Sequence, residues 1–118
     1  MSDQQLIHEF FDVFQHRNLS KMGKVLTANA ELRFPKTRTL IGEKHIFKFL
    51  NILFRQYPEL LFKIRHVIQQ GDWAAVHWTN QGKNRRKEPY QNEGVTLMEF
   101  QDGKIKFISD FFKDTERF

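Results

Sequence analysis

A chain of 118 residues has room for one hydrophobic core, so residues 1–118 are read as a single domain. Its 40% hydrophobic and 28% charged residues are the balance of a folded globular chain, not a disordered one. The absence of cysteine excludes disulfides, thiolate metal sites and a cysteine nucleophile, while the net charge of +5 raises the question of nucleic-acid binding.

Taken in order, Ser2 with Gln5 three residues on has the form of a capping box and predicts a helix start. The opening residues Met1 to Gln5 lack the basic-then-apolar layout of an export signal. No apolar run reaches the roughly 20 residues that span a bilayer. These two features predict a cytoplasmic protein without a membrane segment. Leu6, Ile7, Phe10, Phe11 and Phe14 then recur at helical spacing on one face. Asn18 to Ser20 breaks this helix, and Ser20 is read as the cap of a short second one carrying Met22, Val25 and Leu26. Glu31 to Pro35 alternates and predicts a short strand ended by Pro35. After a basic turn at Lys36 to Arg38, Gly42-Glu43 opens a third helix. Its apolar face is Ile46, Phe47, Leu50, Leu53, Phe54 and Tyr57, and Pro58 stops it.

From Phe62 the period becomes strand-like. Residues 62–70, 73–81, 90–100 and 104–112 are four predicted strands, with tight-turn signals at Gly71-Asp72 and Asp102-Gly103. The remaining connection, Gly82 to Pro89, is longer and charged. Helices first and a strand meander afterwards predict an α+β layer fold. Thirteen phenylalanines against two tyrosines and two tryptophans imply a well-filled core or an apolar cavity.

Several features coincide in order and spacing. They are the Phe-rich first helix, Phe34-Pro35, Leu40-Ile41-Gly42 leading into a helix that ends at Tyr57-Pro58-Glu59-Leu60, and the strand Gly71-Asp72-Trp73-Ala74-Ala75-Val76-His77-Trp78. The last is the hairpin Phe100-Gln101-Asp102-Gly103-Lys104-Ile105 running into Ser109-Asp110-Phe111-Phe112. Over nearly its whole length the chain thus resembles the SnoaL-like branch of the nuclear-transport-factor-2-like superfamily. The resemblance implies N-terminal helices packed in the concave face of a curved, mostly antiparallel sheet, a cone with a pocket at one end. It also implies a homodimer through the outer face of the sheet. That superfamily holds polyketide cyclases, ketosteroid isomerases, epoxide hydrolases, a dehydratase and non-catalytic transport proteins, so the site has to decide function.

Asp110 is the first candidate. It is an acid among apolar neighbours, where burial raises a carboxyl pKa toward the range of acid/base work. By resemblance it falls where the cyclases and epoxide hydrolases carry a pocket aspartate on the last strand. The alternative is a strand-end carboxylate in water or paired with a lysine. His77 is the second candidate, a partner able to pass protons near neutral pH or else a core or dimer-face histidine. The epoxide hydrolases carry Arg and Asp two residues apart where Ala75 and His77 stand here, which speaks against epoxide hydrolysis. The ketosteroid isomerase set of one Tyr and two Asp falls on Phe11, Phe34 and Thr96, which speaks against that chemistry as well. By the same comparison Phe34, Thr96, Met98 and Ile108 are expected as pocket walls or ordinary core. Tyr90, Asn92 and Glu93 are expected near the pocket mouth, either binding a polar group of a ligand or facing solvent.

None of His8, His16, His45 and His66 has metal-ligand spacing, and no phosphate loop or nucleophile elbow is present. No metal and no cofactor are expected. The basic run Lys83 to Lys87 sits in a hairpin loop without a nucleic-acid motif around it, so it is read as a solvated tip or an attractor of anionic substrates. The expected function is binding of a small apolar molecule. Either Asp110 with His77 transfers a proton next to a carbonyl group, as in a cofactor-free isomerase or cyclase, or the chain is a non-catalytic dimeric binding module.

Overall fold

In a computed structural model that describes residues 1–116, three helices lie against one six-stranded sheet. Helix α1 spans Asp3–His16, and both halves of its capping box are made. The Gln5 amide donates to Ser2 Oγ at 3.2 Å and the Ser2 amide to Gln5 Oε1 at 2.8 Å. Arg17 closes the helix in the left-handed region, and its guanidinium donates to the carbonyls of Phe14, Phe54 and Tyr57, tying α1 to the end of the third helix. Helix α2 spans Leu19–Val25 and is capped by Asn18, not by Ser20 as expected, since Asn18 Oδ1 accepts from the Ser20 amide at 3.1 Å. The residue with extended backbone just before the first turn wins the cap.

Strand β1 is Leu26–Arg33, longer than predicted, and takes Leu26 from the apolar face assigned to α2. Its two-residue partner β2, Leu40–Ile41, forms the sheet edge. Helix α3, Glu43–Gln56, begins at Gly42 with φ 94°, and Tyr57 and Pro58 end it. The long strands follow as β3 Glu59–Gln70, β4 Trp73–Lys83, β5 Pro89–Gln101 and β6 Lys104–Phe112. At the β5–β6 turn, Asp102 and Gly103 both take positive φ, as a type I′ hairpin requires.

The sheet order is β2-β1-β6-β5-β4-β3, antiparallel throughout except for β1 beside β6. The inner face follows the two-residue period. On β5 the residues Tyr90, Asn92, Gly94, Thr96, Met98 and Phe100 are all buried. Opposite them on β4 stand Ala74, Val76, Trp78 and Asn80. Phe14 of α1 meets Phe62 of β3 at 4.7 Å between ring centroids, and Phe62 meets Trp78 at 4.9 Å. Many of the phenylalanines, Phe10, Phe11, Phe14 and Phe62 among them, therefore pack between helices and sheet. No helix among the described residues is long and apolar enough to cross a membrane.

Candidate functional site

Register decides which side chains can meet. Thr96 lies directly between Asp110 on β6 and Val76 on β4, so Asp110 shares the inner face with Ile108 and Phe112. A narrow cavity opens there. Phe10 and Phe14 of α1 and Ile46, Phe49 and Leu50 of α3 form one side. Phe34, Phe62, Trp78 and Phe112 form the other, and its polar wall residues are Asn80, Tyr90 and Asp110. Its free space is about 30 Å³, room for about two waters. Anything larger enters only as aromatic rings give way.

Asp110 is held by a directed chain. The indole N–H of Trp78 donates to Thr96 Oγ1 at 2.8 Å, and the Thr96 hydroxyl donates to Asp110 Oδ1 at 2.5 Å. Because Thr96 Oγ1 already accepts from Trp78, its own proton is committed to the carboxylate. Apolar surroundings push the Asp110 pKa up from 3.8 to about 6, against the opposing pull of that hydroxyl. Near neutral pH the group is therefore mostly ionised yet easily protonated, the condition for exchanging a proton with a ligand. Gly94 makes this packing possible. A Cβ there would come within 2.4 Å of the Phe111 carbonyl and 2.7 Å of the Trp78 ring.

His77 does not join this group. On β4 the inward phase belongs to Val76, Trp78 and Asn80, which leaves His77 on the outer face of the sheet, opposite to the cavity. There its Nε2 lies 2.6 Å from Glu93 Oε2, and its Nδ1 lies 3.0 Å from His66 Nδ1. A bulge between Ile64 and His66 brings His66 directly opposite to it. The ammonium of Lys113, 2.7 Å from Glu93 Oε1, together with His77 holds the Glu93 carboxyl well below the usual range, at about 2. The expected Asp110–His77 pair is thus separated by the thickness of the sheet.

The other expected residues divide. Phe34 and Tyr90 line the cavity. Thr96 stands behind it as the support of Asp110. Met98 and Ile108, cross-strand neighbours with no exposed surface, are core, because they lie two residues further along their strands from the cavity. Asn92 is not in the cavity wall and instead ties β5 to the segment after β6. Its Nδ2 donates to Tyr90 Oη at 2.9 Å and to the Asp114 carbonyl at 2.8 Å, and its Oδ1 accepts from the Asp114 amide at 3.1 Å. Asn80 was not foreseen in the sequence. It could have been found as the polar residue in phase with Val76 and Trp78. The basic loop after β4 is a folded tip in which Asn84 Oδ1 accepts from the Arg86 and Glu88 amides. No cluster of metal-ligating side chains occurs among the described residues.

A curved sheet around helices, with an acid in the wall of an apolar cavity, defines a cone-type pocket protein. Residues 7–108 match the family model of the SnoaL-like domain, and the chain belongs to that family. Solved structures share the fold. A candidate SnoaL-like polyketide cyclase from Jannaschia sp. CCS1 superposes with a TM-score of 0.84 at 18% identity, covering 92% of this chain and 83% of that one. An NTF2-like protein of unknown function from Burkholderia pseudomallei gives 0.87 at 18% identity, covering 96% and 92%. TerC, crystallised with polyporic acid, gives 0.84 at 21% identity, covering 92% and 89%. No curated protein sequence matches the chain.

Proposed function

We propose that this chain binds a small, mainly apolar carbonyl compound in the cone and that Asp110 alone transfers the proton next to the carbonyl, without a cofactor. The observation that carries this reading is the single acid in the wall of an apolar cavity among the described residues, with one oxygen held by Thr96 and its pKa moved to about 6. The other carboxylate oxygen has no hydrogen-bond partner among the described residues and is the one available to a ligand. In the forward step the α C–H bond breaks. Its proton goes to that oxygen and its electron pair forms the enolate. Return of the proton to the same carbon completes an exchange, and where a β,γ double bond extends the enolate, its delivery to the γ carbon completes an isomerisation. Membership of the SnoaL-like family and the polyketide-cyclase neighbour support a ligand of this kind.

The test uses β-tetralone, a fused bicyclic ketone with acidic α hydrogens, incubated in deuterated water and followed by proton NMR. Wild type is expected to speed α-deuteration, and Asp110→Asn to lose that acceleration by about 100-fold or more while still binding the ketone. Equal rates for wild type and variant would refute the role of Asp110.

A second reading, a binding module that dimerises through its outer sheet face, is favoured by one observation. Val95 and Phe111 sit side by side in the row that starts at His77, and they are 37% and 59% exposed. Sedimentation of wild type as a dimer and of Phe111→Glu as a monomer would support it. A wild-type monomer at high concentration would end it.

A further inference from the structure

A histidine pair on the outer face of the sheet takes no part in the site described above. His66 on β3 and His77 on β4 stand directly opposite each other, because a bulge inserts Arg65 as an extra residue between Ile64 and His66. The two are 11 positions apart across a turn, so spacing along the chain hides the pair. Their Nδ1 atoms lie 3.0 Å apart, with ring centroids 5.3 Å apart and ring planes 11° from parallel. Both side chains reach solvent, and 32% of the His77 side chain is exposed.

Hydrogen bonds fix where the protons are. Glu93 is ionised, and its Oε2 accepts from His77 Nε2 at 2.6 Å. In the neutral ring the lone pair of His77 is then on Nδ1, facing His66, and the single proton between the rings is carried by His66. Two imidazole nitrogens that close on one small gap can chelate a cation in place of that proton. The carboxylate behind His77 is the arrangement that orients a metal-binding imidazole and raises its basicity. The neighbouring cations are already engaged, Lys113 with Glu93 at 2.7 Å and Arg65 Nε with Thr79 Oγ1 at 3.0 Å.

We propose that His66 and His77 together bind a divalent late transition-metal ion, copper(II) or nickel(II), through their Nδ1 atoms, with water in the remaining positions. With metal–nitrogen bonds of roughly 2.0 Å, the 3.0 Å separation subtends about 97° at the ion. That is close to the right angle of square-planar and tetragonal sites, the geometry of copper(II) and nickel(II), and below the tetrahedral angle of zinc. In the free protein the nitrogens face each other nearly in line across the shared proton. Each ring has to turn by about 40° for the lone pairs to converge, which the broad second torsion of an exposed histidine allows. The proton leaves His66 Nδ1 for solvent and one from solvent settles on its Nε2. Both imidazoles therefore stay neutral, and the ion keeps its oxidation state. Glu93 is a positioning residue, since it touches His77 and not the ion. The site lies on the face of the sheet opposite to the Asp110 cavity and does not depend on the proposed function.

Nickel(II) is titrated calorimetrically into the untagged full chain at pH 7.5, with His66→Ala, His77→Ala and Glu93→Gln alongside. All of them keep His8, His16 and His45, so differences between them isolate the pair. Wild type is expected to bind about 50-fold or more tightly than either alanine variant, because the second nitrogen binds intramolecularly. Electron paramagnetic resonance of the copper(II)-loaded wild type should report two equatorial imidazole nitrogens. Glu93→Gln should weaken nickel binding by about tenfold and keep the two-nitrogen spectrum, as a positioning role requires. Unchanged affinity in Glu93→Gln, or loss of its two-nitrogen spectrum, would overturn that role. Equal nickel affinity in wild type and either alanine variant would overturn the site and leave an adventitious ion only, on a single surface imidazole. A one-nitrogen copper spectrum in wild type, or no nickel binding at millimolar concentration, would overturn it as well. If an alanine variant does not fold, glutamine at the same position, which removes the ring nitrogens and stays polar, is read by the same affinities.

Discussion

Replacing Asp110 by asparagine tests the environment of the candidate acid without any knowledge of the ligand. The carboxyl titrates near 3.8 in an unfolded chain and at about 6 in the folded one. The folded state therefore binds more protons than the unfolded state between these values, and stability falls as pH rises through that window. Roughly two pH units at about 1.4 kcal/mol each put the cost of ionising the native carboxyl at about 3 kcal/mol, present in full above pH ~6 and absent below pH ~4. Asparagine has no charge to desolvate, and its amide oxygen still accepts from the Thr96 hydroxyl. The charge assistance of that bond exists only where the carboxyl is ionised, and the midpoint of about 6 already includes it. The expected net result is a variant about 3 kcal/mol more stable than wild type near pH 7.5, with the advantage gone near pH 4. Urea unfolding at both pH values measures it, with an unchanged slope against denaturant as the control. An increment of the same size at both pH values would show that Asp110 ionises without penalty. The carboxyl would then be in water, and the argument for a proton-transfer site would fall.

Three further outcomes follow from the same geometry. Thr96→Val removes the hydroxyl that favours the carboxylate, so the Asp110 midpoint should rise by about one pH unit or more above that of wild type in a carbon-detected carboxyl titration. His77→Ala should leave the Asp110 midpoint where it is, because the sheet lies between them. The same titration should show Glu93 moving up from about 2 while staying below an ordinary glutamate, since Lys113 remains. Gly94→Ala drives a methyl group into the Phe111 carbonyl and the Trp78 ring, and urea unfolding should record a loss of about 1–3 kcal/mol.

The parts legible in the sequence were those with a local cause. The Ser2–Gln5 capping box, the Asp102-Gly103 turn and the stop at Pro58 are each written in neighbouring residues. The strand limits beside the two tight turns followed from such punctuation, whereas β1 and β3 begin at Leu26 and Glu59, before the expected Glu31 and Phe62. The site was harder because strand phase is a long-range property. In Ala74-Ala75-Val76-His77-Trp78 apolar residues occupy both phases, so nothing local says that His77 faces outward. Only the register of β4 against β5 decides it. Depth along a strand is equally invisible. Met98 and Ile108 have the inward phase expected of pocket walls, but two residues of displacement turn wall into core. The cap at Asn18 in place of Ser20 shows the same limit on a small scale, since both residues can cap and the backbone angle chooses.

Strand β6 is the last of the six described strands to be made, yet it lies near the middle of the sheet, between β1 and β5. During synthesis the first half of the chain therefore exists as helices and a strand whose parallel partner has not yet been added. Their phenylalanine faces have no complete sheet to rest on until residues 104–112 arrive. Asp110 arrives with them. Fold closure and the acid of the candidate site are delivered by the same nine residues, so no shortened nascent chain can carry a working pocket. A ribosome-bound fragment ending near Gln101 should expose its apolar surface to chaperones, while addition of the final hairpin should hide that surface and create the cavity in one cooperative step.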